Sequence, residues 1–61
     1  MNRYWVYLKG WNCPILIKAN HTERFRNDYF RIDQINFQIS GVGIVVIIDF
    51  DQIRKITFER E

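Results

Sequence analysis

Apolar and polar residues alternate with a period of two along most of this chain, a pattern that predicts strands rather than helices. From Arg3 to Lys9 the pattern sets Tyr4, Val6 and Leu8 on one face and Trp5, Tyr7 and Lys9 on the other. Gly10-Trp11-Asn12 predicts a turn, and Pro14 limits pairing at the start of a second strand in which Ile15, Ile17 and Ala19 oppose Leu16, Lys18 and Asn20. These two segments make a first hairpin. Between Asn20 and Asp28 the residues are polar except for Phe25, and Asn27-Asp28 suits a tight turn because both side chains tolerate the left-handed conformation.

A third strand is expected from about Tyr29. Phe30 and Ile32 fall on even positions and Ile35, Phe37 and Ile39 on odd ones, so a bulge or bend is expected near Asp33-Gln34 to restore one buried face. Gly41-Val42-Gly43 predicts a glycine-rich turn. The segment Ile44-Val45-Val46-Ile47-Ile48 is apolar on both faces and reads as the central strand, Asp49-Phe50-Asp51-Gln52 as one short helical turn, and Ile53, Ile56 and Phe58 as a final strand ending at Glu59.

Composition supports the same fold class. Ten isoleucines stand against two leucines and one alanine, and β-branched side chains lose rotamer freedom in a helix but pack well on a pleated surface. With 61 residues there is room for one domain, residues 1–61, and for a core that removes only about 60% of the unfolded chain's surface from water. The longest apolar run, Val42 to Ile48, is broken by Gly43 and falls well short of the roughly 18 residues of a spanning helix. The first residues lack a signal-peptide pattern, and a single cysteine, Cys13, excludes an intrachain disulfide. A cytoplasmic setting is the expectation.

Net charge is +2 but unevenly placed: Arg3, Lys9, Lys18, Arg24, Arg26 and Arg31 face only Glu23 and Asp28 in residues 1–31, and acidic groups prevail beyond. Such asymmetry can steer an acidic partner to one side.

The strand, tight turn and strand that run from Val46 to Ile56, together with Val6-Tyr7-Leu8, Gly10 and Ile15-Leu16-Ile17-Lys18-Ala19, resemble the SH3-like and Sm-like small β-barrels. The opening hairpin is also similar to that of short proteins carried by phages and other mobile elements. The resemblance implies an all-β fold, a small antiparallel barrel of five or six strands. Sm-like proteins carry an Arg-Gly or comparable motif before the last strand, where this chain has Asp51-Gln52-Ile53, so no RNA-binding residue carries over from that family.

Candidate chemistry is thin. Cys13 and His21, with Asp28 or Asp33, could be imagined as nucleophile, base and orienting group, but a structural thiol and a surface histidine explain them better. Asp49 and Asp51, with Asp33 or Glu59, lack the spacing of a calcium loop, and one Cys with one His cannot supply the four ligands usual for zinc. No catalytic residue, metal or cofactor is expected. Two binding signals remain. Seven of ten aromatics fall in residues 1–31 among the basic side chains, and small barrels bind single strands by stacking bases beside a positive groove; Lys18, Arg24, Arg26 and Arg31 are the candidates for that function. Surplus apolar surface is the second, and it ranks first. Trp5, Tyr7, Val45 and Ile47 are expected at an oligomer interface, and Trp11, Phe25 and Tyr29, with Arg24 and Arg26 beside them, as anchors for a protein partner. The resulting expectation is a non-catalytic, homo-oligomeric module that docks on another protein, such as a phage-type inhibitor of a host factor.

Overall fold

In a computed structural model that describes all 61 residues, the alternation becomes six antiparallel strands: β1 (Asn2–Leu8), β2 (Ile15–Ala19), β3 (His21–Asn27), β4 (Ile32–Ile39), β5 (Gly43–Asp49) and β6 (Ile53–Glu59). A three-residue 3-10 turn, Phe50–Gln52, is the one helical element. No helix is long and apolar enough to cross a membrane, which says nothing of a membrane β-barrel. The strands form two sheets, β2-β1-β6 and β3-β4-β5. Only Asn20 separates β2 from β3, so one run of chain serves both sheets, and the Asn20 N–H still donates to the Gln38 carbonyl at 2.8 Å. The 3-10 turn links the sheets on the other side. No ladder joins β5 to β6, so each keeps a free edge and the hydrogen-bonded ring stays open.

The core sits between the sheets. Tyr4 and Val6 from β1, Ile17 and Ala19 from β2, and Ile35 and Phe37 from β4 are buried, with Leu8, Ile15, Ile39, Val46, Ile48, Phe50, Ile53 and Ile56 packed around them. The Tyr4 ring meets Phe37 edge-on across the sheets, with centroids 5.5 Å apart, and Phe58 within its own sheet at 5.3 Å. Six buried residues are few, and the Cα envelope of 37 × 31 × 14 Å is correspondingly flat.

Three sequence expectations require correction. The polar stretch after Asn20 is strand β3, paired along its whole length with β4 from His21↔Gln38 to Asn27↔Ile32; an edge strand exposed to water needs little apolar alternation. Tyr29 and Phe30 therefore lie in the turn from Asp28 to Arg31 and not in a strand. That turn is closed by the Phe30 N–H donating to Asn27 Oδ1 at 3.1 Å, with Arg31, at φ 54°, as its left-handed residue. The Asp33-Gln34 step is regular on the β3 side, and Ile32 simply belongs to the outer face. The register shift falls instead at Phe37/Gln38 against β5. Finally, β5 is an edge strand, not the central one.

Candidate functional site

Two irregular ladder positions shape the exposed surface. Along β5 the pairing passes from Phe37↔Val46 to Gln38↔Ile44, so Val45 is the extra residue of a bulge. A bulge turns neighbouring side chains that would alternate toward the same side. Ile44 thereby joins Val45 and Ile47 on the outer face, where they are 53%, 41% and 55% exposed, while Val46 and Ile48 pack inward. The adjoining β4 positions on that face, Gln34, Asn36 and Gln38, are polar, so the apolar strip follows the free edge.

The second irregularity lies in β6, where the ladder steps from Tyr7↔Lys55 to Leu8↔Ile53 and leaves Arg54 extra. Both cations then lie over one ring: Lys55 Nζ is 4.5 Å and Arg54 Cζ 5.8 Å from the Tyr7 centroid. Trp5, two residues back on the same central strand, is paired with Leu16 and Thr57, and Lys18 lies opposite Arg3. Arg3 is neutralised by Glu59 and Glu61 at 2.9 and 3.1 Å. Lys18, Arg54 and Lys55 have no carboxylate within ion-pair distance.

The four residues expected at an oligomer interface are thus divided between two surfaces. Val45 and Ile47 share the β5 strip, whereas Trp5 and Tyr7 are half-buried on the outer face of the other sheet. The residues expected as partner anchors are divided as well. Phe25 is exposed on the outer face of β3, Tyr29 is 88% exposed at the hairpin tip with its ring edge-on to Phe30 at 4.9 Å, and Trp11 is exposed in the loop after β1.

Arg24 points the other way. Its Nε and Nη2 donate to Asp33 Oδ1 and Oδ2 at 2.8 and 2.7 Å, and its guanidinium lies 3.8 Å over the Phe50 ring. It ties β3 to β4 and to the 3-10 turn. Arg26 pairs with Asp28 at 2.9 Å, so the basic set of Lys18, Arg24, Arg26 and Arg31 is not gathered into one groove. Cys13 is exposed, and His21 Nε2 lies 2.9 Å from Gln38 Oε1.

The Arg24 fork has a pH signature. Its hydrogen bonds hold the Asp33 carboxyl below the usual carboxylate range; partial desolvation opposes this, and the charges of Arg24 and Arg26 reinforce it. A carboxylate with a lowered folded pKa contributes stability that is complete above its unfolded value of about 4 and is lost as pH falls through the folded value. Melting temperature followed from pH 6 to pH 2 should therefore decline less steeply in Asp33→Asn than in the parent chain. Parallel curves would remove Asp33 as the titrating group.

Sequence reasoning did not find Ile44, Arg54 or the Lys55 contact with Tyr7, because simple alternation places adjacent residues on opposite faces. A bulge leaves no local mark here beyond Gly43, which precedes Ile44 with φ 105°. Comparison with protein-family models, curated proteins and solved structures finds no match.

Proposed function

We propose that this chain is a non-catalytic binding module, an open SH3-like or Sm-like small barrel that self-associates through β5 and docks on another protein. The exposed apolar strip of Ile44, Val45 and Ile47 on a free edge strand carries the proposal. Strand edges with apolar side chains invite pairing unless they are charged, bulged away or covered; no charged residue interrupts this one from Gly43 to Ile48, and the Val45 bulge, which breaks the ladder at one position, gathers Ile44, Val45 and Ile47 on the outer face, so the contact rests on side chains. The continuous β2–β3 run and the short turn between β5 and β6 support the barrel likeness.

The β3–β4 hairpin tip is the docking element for the partner. Tyr29 and Phe30 project from a turn fixed by the Asn27 side chain, so two aromatic anchors are presented with little ordering left to lose on binding. The likeness to short phage-borne proteins makes the partner a host factor, including a component of a defence system, in the cytoplasm. The surface has no enclosed pocket, and a broad, flat contact suits a macromolecule better than a small ligand.

Light scattering across a concentration series tests this reading. A mass at least twice the 7.5 kDa of one chain is expected; a monomer at every concentration would overturn self-association through β5.

A further inference from the structure

We propose that the outer face of the sheet β2-β1-β6 binds single-stranded nucleic acid, with Trp5 and Tyr7 stacking on bases and Lys18, Arg54 and Lys55 contacting phosphates. This goes beyond the function proposed above and uses the opposite sheet, so either can fail alone.

Trp5 and Tyr7 stand on the same side of the central strand, two residues apart, which separates their side chains by about 7 Å. That is about twice the 3.4 Å rise of stacked bases in a duplex strand, and it leaves room for one base of a splayed single strand on each ring, with Lys55 and Arg54, which lie over Tyr7 in the free chain, swinging out to the phosphates as the base takes their place. Charge is the second element. The three cations lie on strands flanking the aromatics, Lys18 on β2 and Arg54 and Lys55 on β6, and none is spent on a carboxylate. The one acidic side chain of the β2-β1-β6 strands, Glu59, is held by Arg3.

The two sheets differ in this respect. Strands β3, β4 and β5 carry as many acidic side chains as they need to answer their arginines: Glu23, Asp33 and Asp49 against Arg24 and Arg26. Uncompensated positive charge beside aromatic rings is the arrangement that tracks a phosphate backbone while accepting any base. The regular register places Lys18 and Lys55 there, and the β6 bulge adds Arg54, which without that step would face away from Tyr7.

The test measures anisotropy of labelled oligo-dT and oligo-rU strands of twelve nucleotides at 50 and 200 mM salt. Three phosphate contacts at a slope of about 0.7 each predict roughly 20-fold weaker binding at the higher salt. Lys18→Gln with Lys55→Gln should weaken binding and flatten that slope, and Arg26→Gln with Arg31→Gln, on exposed residues of the other sheet and its turn, should change neither. Stacking has its own readout. In Trp11→Phe protein, Trp5 is the sole indole, and its emission should be quenched as oligonucleotide is added; Tyr7→Leu should weaken binding about 5-fold or more. RNA and DNA should bind alike. Absence of binding at 50 mM salt, unchanged Trp5 emission, indifference to the Lys18 and Lys55 changes, or equal binding of poly-glutamate with the same dependence would each overturn the proposal, the last in favour of an acidic protein.

Discussion

Replacing Ile47 by lysine is expected to abolish self-association while leaving the fold intact. Ile47 is more than half exposed on β5 and lies outside the core cluster, so the folded monomer has little to lose. In an association through β5 each copy contributes the same side chain, and burying an isoleucine is worth about 1.5–3 kcal/mol. With 55% of each isoleucine exposed, association gains about half of that per side chain, so a symmetric pair loses about 1.5–3 kcal/mol, or roughly ten- to a hundredfold in dissociation constant. The introduced ammonium groups add a desolvation cost on top. Light scattering should show the monomer mass at concentrations where the parent chain is assembled, with an unchanged far-ultraviolet spectrum. Ser40→Lys adds the same charge at a turn position and should leave the assembly as it was. Should Ile47→Lys assemble as the parent does, β5 is not the contact.

How much of this surface is legible in the sequence depends on how locally each feature is determined. The first hairpin is read correctly because Tyr4, Val6, Ile15, Ile17 and Ala19 obey strict alternation and Gly10 supplies the positive φ, 80°, that its turn needs. The 3-10 turn after Asp49 is legible for a similar reason: two apolar strands are interrupted by four residues that do not continue the period. Strand β3 is not legible, because its sequence, His-Thr-Glu-Arg-Phe-Arg-Asn, has one large apolar residue. Its stability comes from pairing with β4 and from the Arg24 fork on Asp33, both of which are tertiary. The apolar continuity of β5 was also misleading. A strand with two apolar faces is central when both are covered within one chain; here one face meets the core and the other faces out at a free edge. Periodicity reports hydrophobicity, and the covering surface can belong to another molecule. The site residues divide on the same principle. Side-chain type singles out Trp5, Tyr7, Lys18, Val45 and Ile47, and the regular ladders put the first three on one outer face, but only the ladder irregularities add Ile44 to the β5 strip and bring Arg54 beside Lys55 over one ring.

Phe37→Ala is expected to unfold the isolated chain. Phe37 is fully buried on the central strand of its sheet, and with the Tyr4 ring at 5.5 Å it forms the principal aromatic contact between the two sheets. Truncating a buried phenylalanine costs about 3–5 kcal/mol through lost transfer energy and the cavity left behind. A chain of 61 residues has about 3–9 kcal/mol of stability on a per-residue scale to set against this, and a core of six buried residues puts this one at the low end. Collapse around the gap is limited, because the other core groups are held by two different ladders and cannot move together without breaking register. Urea titration should show a cooperative transition for the parent chain and none, or one shifted to very low denaturant, for Phe37→Ala. Phe37→Leu keeps most of the volume and should retain a transition at reduced midpoint. Because association adds stability only to folded chains, raising the protein concentration should move the parent midpoint upward. It should also partly rescue Phe37→Leu. The same rise in concentration should do nothing for a chain that carries Ile47→Lys as well, since that chain has lost the contact through which concentration acts.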